Sequence, residues 1–445
     1  MPPLESPGES WPFMRAGILR GIYSLVIAVL FPLAVLRLVW LGIRKPSYLN
    51  RISERFGYVP FSRSSRPVIL IHAVSVGEVN AISPLLLEIR RKFPDRTVVV
   101  TTVTATGEEA LRRIDVDHVV HAFFPYDLGC FVDRFLDRIC PELVVVVETE
   151  IWPNFFLRCQ RRRIPLAIVN ARISPGSFSG YARVSGLFAD TIRRVSVIAT
   201  QSETHSDRFL KLGASPAQIT NCGNLKFDIQ IPSSVFEKGQ AARRKFAGRQ
   251  PIWVAASTHE GEEGIILDVY REIRLRIAEC LLVLVPRHPD RAQAIAALVR
   301  RAGLTLARRT EAGPGVGTFD VFLVDTIGEL PVYYAAADVA FVGGSLVQVG
   351  GHNMLEPASL GVPIVTGPSL FNFADIVEML QSGSGIDVCG DREKLLQVVY
   401  DYLSDANLRY QKGQCAKAVF ERNQGATSRI MSILERLIEE TVEAS

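Results

Sequence analysis

The sequence predicts an α/β protein made of two successive doubly wound parallel sheets facing a cleft, preceded by an apolar N-terminal helix. Three observations predict it. Short, wholly apolar runs recur between segments of helical length, which is the pattern of parallel strands covered on both faces. The series breaks once, in a polar stretch near Phe227 to Arg249, and then restarts. A chain of 445 residues also exceeds what one ordinary core holds, so two domains are expected.

The first element is the apolar run from Ile18 to Ile43, interrupted by Arg20 and Arg37. Its uncharged core, Gly21 to Leu36, is short for a perpendicular span, which needs about 20 apolar residues, but the two arginines can reach the interfaces, and Pro32 is expected to kink it. No small-residue cleavage site follows. Trp40, Arg44 and Lys45 stand there instead, which argues for a retained anchor over a signal peptide. The basic flank of Arg37, Arg44, Lys45, Arg51 and Arg55 would keep the following domain on the cytoplasmic side. Arg15, Arg20, Arg51 and Arg55 are candidates to meet anionic lipid, or else serve only topology.

The strands of the first half are read at Val68 to Val74, Thr97 to Val103, Glu142 to Glu148, Pro165 to Ala171 and Ser196 to Ser202. Those of the second half are read at Pro251 to Ser257, Cys280 to Pro289, Asp320 to Asp325, Asp338 to Gly344 and Val362 to Pro368. The expected division is a mobile 1–16, an anchor 17–45, domains 46–230 and 231–427, and a helix 428–445 that packs back towards the first domain. Such a pair of sheets suits a nucleotide, because ligands of doubly wound folds gather at the carboxyl ends of the strands.

Composition narrows the function. With 48% apolar and 22% charged residues and a net charge of +4, the chain is neither disordered nor built for a polyanion, so no nucleic-acid partner is expected. Seven cysteines without CxxC pairs point to a reducing compartment, and seven dispersed histidines without HExxH point to no metal site and no cofactor.

The chemistry-bearing residues sit where strands end. In "GGSLVQVGGHNMLEP", Gly343 and Gly344 turn the chain sharply, Gly350 and Gly351 clear space for a ligand, and His352, Asn353 and Glu356 precede a helix. Glu356 could accept hydrogen bonds from ribose hydroxyls, or simply cap the helix. "DTIGEL" supplies Thr326, Gly328 and Glu329, and "PRHPDR" supplies Arg287, a planar fork for phosphate. In the first half, Glu78 in "SVGE" opens a helix and is either a general base or a cap. Glu148 and Glu150 end the most apolar strand beside Trp152, and Lys226 lies near the domain boundary.

Together "HAVSVGE", "TTVTATG", "ETEIWPN", "NARIS", "GNLKFD", "PRHPDR", "DTIGEL" and "GGHNMLEP", in this order, resemble the 3-deoxy-D-manno-octulosonic acid (Kdo) transferases of Gram-negative bacteria. The resemblance runs from the anchor to at least Asn372. It implies a GT-B type glycosyltransferase with two Rossmann-like domains, moving Kdo from CMP-Kdo to lipid IVA with inversion, at the cytoplasmic face of the inner membrane. It implies Glu78 as base, with Lys226 and one of Glu148 and Glu150 supporting the transition state. It implies CMP contacts from Pro286, Arg287, Ile327, Gly328, Glu329, Asn353, Met354, Leu355 and Glu356, and no metal. A UDP-sugar enzyme of the same build, an epimerase included, and a non-catalytic nucleotide-binding module are the alternatives.

Overall fold

The computed structural model describes residues 10–44, 49, 51–60, 66–114, 116–246, 250–311 and 319–443. They form two compact units, Met1–Asp228 with Gln424–Ser445, and Ile229–Asn423. Residues 1–9 of the N-terminal segment expected to be mobile lie outside the described residues, and Ser10 already belongs to a helix, Ser10–Arg44, that continues through Pro32.

The first unit carries β1 (Val68–His72), β2 (Thr97–Thr102), β3 (Val119–Phe123), β4 (Leu143–Val147), β5 (Leu166–Ala171), β6 (Val197–Thr200) and β7 (Ile219–Asn221). They pair in the order β3-β2-β1-β4-β5-β6-β7, all parallel. Parallel pairing follows from composition: every residue of β1, β4, β5 and β6 is buried, so both faces need helices over them. The order reverses between β1 and β4. That reversal opens a crevice at the carboxyl ends of these two strands, from which Glu78 and Glu148 depart.

The second unit repeats the plan with β8 (Ile252–Thr258), β9 (Leu281–Pro286), β10 (Leu306–Arg308), β11 (Val321–Leu323), β12 (Val339–Val342), β13 (Ile364–Thr366) and β14 (Ile386–Val388). Their order is β10-β11-β9-β8-β12-β13-β14, again all parallel. Here the reversal falls between β8 and β12. The chain leaves these strands at His259 and at Gly343.

The N-terminal helix lies along the first unit. Arg20 Nη1 pairs with Asp190 at 3.2 Å, the Tyr23 hydroxyl donates to Asp127 at 2.9 Å, and Ser24 Oγ donates to Asn154 at 3.1 Å. Further on, the Phe31 ring packs against Phe56, Tyr126 and Phe131. The basic residues expected to meet lipid are largely committed to the protein: Arg51 bonds Glu54, Glu108 and the His121 carbonyl, and Arg55 is buried, donating to the Val103 carbonyl with its guanidinium over Phe123. The side chain of Arg15 lies outside the described residues.

At the other end, helix Ala426–Glu443 buries Ile430, Leu434, Leu437 and Ile438 in the cluster that holds Leu85, Leu86 and Ile89. The Asp228 carboxylate fixes its entry by accepting from the Gly425 and Thr427 amides. Because Leu434 is 1% exposed, Leu434→Ala is expected to cost about 2–4 kcal/mol. Chemical denaturation followed by far-UV circular dichroism measures it, and a change under about 0.5 kcal/mol would mean that the helix adds little to this core.

Candidate functional site

In the first unit the crevice between β1 and β4 gathers four of the predicted residues. Ser75 caps helix Val76–Ala81 in extended conformation, accepting from the Glu78 amide. The Glu78 carboxylate is held at both oxygens: Val74 N–H donates to Oε2 at 2.8 Å and the Ser75 hydroxyl to Oε1 at 2.8 Å. Glu78 thus sits as a helix-start residue with its carboxylate fixed in place. Desolvation pushes its carboxyl up to about 7, helped by repulsion from Glu148 and Glu150 and opposed by the two hydrogen bonds.

Glu148 follows β4 at φ 59°, a left-handed conformation uncommon for glutamate, with its amide donating to the Val169 carbonyl at 3.0 Å. Its carboxylate faces Lys226 Nζ at 3.8 Å. Burial and the Glu148 charge both raise the Glu150 carboxyl. Trp152, beside these acids, is half-buried and tilted against Phe124 at 5.8 Å between ring centres. Three carboxylates and one ammonium around one crevice can accept a proton and balance growing positive charge.

One residue of this site escaped notice as a positioning group. Asn170, buried at the end of β5 with φ 52°, accepts from the Leu225 amide at 3.0 Å, while Asn224 accepts from the Lys226 amide at 3.0 Å. Gln201 joins the two asparagines, donating to the Asn170 carbonyl and accepting from Asn224. These bonds fix the loop that carries Lys226. The only sequence signal was a polar residue at the last turn of an apolar run.

In the second unit the predicted nucleotide residues fall into three groups. Pro286 is the last residue of β9 and Arg287 follows it, exposed, its amide donating to the Thr258 carbonyl at 3.0 Å. Ile327 and Gly328 are exposed, with Gly328 at φ 87°, while the Glu329 carboxylate is taken by Arg309 at 3.0 Å and by the Thr326 hydroxyl. Asn353 donates to Glu356 at 3.1 Å and accepts from the Leu355 amide at 3.1 Å. Burial raises the Glu356 carboxyl, and the Asn353 bond offsets part of that.

In the glycine-rich stretch, helix Leu355–Ser359 has five residues and its Leu355 amide is taken by the Asn353 side chain. Met354 and Leu355 are wholly buried, which leaves only their main chain for a ligand. Gly350 and Gly343 serve the protein itself: a Cβ on Gly350 would stand 2.6 Å from the Phe371 ring, and one on Gly343 would stand 2.8 Å from the Ser257 carbonyl oxygen.

What holds this stretch is a residue the sequence reading passed over. Glu262, fully buried in the first turn after β8, accepts from four main-chain amides: Gly344 at 2.7 Å, Ser345 at 3.0 Å, Leu346 at 2.9 Å and His259 at 2.8 Å. Its neighbour Glu263, also buried, accepts from Thr258 and from both terminal nitrogens of Arg291. In "THEGEE" the acids read as ordinary helix-start residues. The same turn brings His259 Nε2 to 2.8 Å from His352 Nε2, the rings stacked, with His288 edge-on to His259 at 5.6 Å. Burial pushes His352 down to about 4 and also lowers His259, so both imidazoles are neutral near pH 7. Arg287, which lowers both imidazoles by its charge, supplies the fixed positive charge of this rim, and the neutral imidazoles supply ring nitrogens for hydrogen bonds. Among the described residues no three His, Cys, Asp or Glu side chains gather as metal ligands.

Glu262→Ala would strand four amides at once, and we expect a loss of about 3 kcal/mol or more. Hydrogen exchange is the direct reading: protection at Gly344, Ser345 and Leu346 should fall, and unchanged protection there would show that the loop holds without the carboxylate.

Known proteins resemble this chain along most of its length. Residues 50–229 match the family model described as 3-deoxy-D-manno-octulosonic-acid transferase. The chain is 35% identical over 426 residues to the 3-deoxy-D-manno-octulosonic acid transferase of Haemophilus influenzae, covering 95% of this chain and 100% of the relative. It is 32% identical over 440 residues to the enzyme of the same name from Bordetella pertussis, covering 94% and 99%. Among solved structures, UDP-GlcNAc 2-epimerase from Neisseria meningitidis bound to UDP-GlcNAc aligns with TM-score 0.56 at 13% identity, over 83% of this chain and all of that one, a likeness of GT-B fold alone. Full-length identity to these relatives places the chain in the 3-deoxy-D-manno-octulosonic acid transferase family.

Proposed function

We propose that this protein transfers Kdo from CMP-Kdo to lipid IVA with inversion, working at the cytoplasmic face of the inner membrane. Family membership supports the sugar and the reaction class. The observation that carries the mechanism is the Glu78 carboxylate, fixed by Val74 and Ser75 and tuned to about 7. A base whose pKa lies near the working pH is half free to accept a proton and still basic enough to pull one.

In this reading the acceptor hydroxyl gives its proton to Glu78 while its oxygen attacks the anomeric carbon of Kdo. The bond from that carbon to the phosphate oxygen breaks, and CMP leaves with the electron pair. A single displacement inverts the anomeric centre. Glu148 and Glu150 stabilise the positive charge that develops on the sugar, and Lys226, 3.8 Å from Glu148, keeps that pair of acids from repelling the base beyond use. In the second unit Arg287 and the neighbouring imidazoles counter the charge of the departing phosphate, and Asn353 and Glu356 take the ribose. The N-terminal helix would keep the enzyme on the surface that holds its acylated acceptor.

Purified protein given CMP-Kdo and lipid IVA should yield a product heavier by Kdo, and Glu78→Gln should lower transfer by about 10²–10⁴-fold. Product from a UDP-sugar and none from CMP-Kdo would move the assignment to the other GT-B chemistry. Transfer undiminished in Glu78→Gln would remove Glu78 as the base.

The pH dependence follows from sign. The Glu78 carboxyl must be ionised to act, so kcat/KM should rise through about pH 7 on its acid limb. Glu150→Gln removes part of the repulsion and should move that limb to lower pH. For stability the sign is opposite. The folded state favours the protonated acid, so the Glu78 contribution is complete below its ordinary value of 4.5 and is lost as pH rises through about 7. An acid limb that stays in place in Glu150→Gln would show that the two carboxylates do not interact.

A further inference from the structure

The N-terminal helix is long and apolar enough to cross a bilayer, with 27 such residues from Gly17 to Ile43. Its contacts, however, are spread along its length. Arg20, Tyr23 and Ser24 bond Asp190, Asp127 and Asn154 near one end, Phe31 packs into the Phe56, Tyr126 and Phe131 rings in the middle, and Leu38 is 7% exposed towards the other. Steps of three, four and seven residues put all of these on one face of the helix. The opposite face is bare hydrocarbon: Leu25, Val29, Leu33 and Leu36 are each 61–66% exposed and Ile43 is 76% exposed.

Length decides between two ways of meeting a membrane. From Arg20 to Leu38 the docked face runs about 27 Å at 1.5 Å per residue, while the hydrocarbon core of a bilayer is about 30 Å thick. A helix held to a folded unit over that distance has no free stretch long enough to cross. A spanning orientation would also drag Asp127, Asp190 and Asn154 into hydrocarbon, or break every bond just named.

We propose that this helix does not span the membrane but lies in its plane, docked on the first unit by its Arg20, Tyr23, Ser24 and Phe31 face, with the opposite apolar face sunk into one leaflet. This rests on the reading that the protein is membrane-bound. The occupant of the bare face is lipid, because the strip is continuous, aliphatic and bordered by cations. Arg37 is exposed beside it, and Arg158, Arg161 and Arg194 crowd Arg20 at its start. Helix Ser185–Ile192, which carries Asp190, directly follows helix Pro175–Arg183, whose Tyr181 phenol feels the Glu150 charge. Lying flat, the N-terminal helix sets the carboxylate crevice at a fixed height above the leaflet that it occupies.

The test uses the full chain with a protease-cleavable tag at each end, added to preformed vesicles of phosphatidylethanolamine and phosphatidylglycerol. The protein is floated with the vesicles and then exposed to protease from outside. The expected result is flotation, with the N-terminal tag cut to the same extent as the C-terminal one. Flotation with the C-terminal tag cut and the N-terminal tag protected until detergent is added would mean a spanning helix, overturning the in-plane placement and leaving membrane attachment intact. Failure to float at all would overturn both.

Discussion

Burial of both faces of both sheets is the constraint on which the rest of this protein depends. Strands such as Leu143–Val147 and Leu281–Pro286 have no exposed residue, so no polar chemistry can be carried in mid-strand without a large desolvation cost. Polar groups are pushed to the carboxyl ends, and most sharply to the two places where strand order reverses and the covering helices part. Glu78 and Glu148 leave one reversal, and His259 and Gly343 leave the other. Each unit thereby presents its chemistry at one rim.

Charges placed at such rims must be satisfied or neutralised, and the protein does both. Glu262 and Glu263 are fully buried and spend their oxygens on four amides, a threonine and an arginine, so they act as structure. Asp127, also buried, takes the Asn154 and Phe155 amides and the Tyr23 hydroxyl, with burial still pushing it up to about 6. Glu78 has fewer bonds and two acidic neighbours, which leaves it poised between its charged and neutral forms. The difference between these buttresses and the proposed base is the number of donors aimed at each carboxylate.

This logic also explains what could be read from the sequence. All ten strands found as apolar runs lie inside the two sheets, and the four that were not found, β3, β7, β10 and β14, are the four sheet edges. An edge strand is covered less: Leu306–Arg308 has no fully buried residue and Ile219–Asn221 is mostly exposed, so neither needs an unbroken apolar run. The carboxylates of the first unit could be picked out because they follow apolar strands, and Lys226 because it stands near the domain boundary. Glu262, Asn170 and His259 were not, because their importance lies in partners distant in sequence, such as Gly344 or Leu225, that only the folded chain reveals. The same holds for Gly350, whose missing side chain makes room for Phe371, twenty-one residues on.

The packing of helix Ala426–Glu443 on the first unit makes the second unit an insertion, with the chain leaving at Asp228 and returning at Gln424. Synthesis delivers that helix only after the second unit. Until then Leu85, Leu86 and Ile89 lack the cover that Ile430, Leu434 and Leu437 supply, while the whole second unit is still being made. The first unit therefore lacks that cover until the second unit has been made, and a chain broken within Ile229–Asn423 would leave the same apolar face bare.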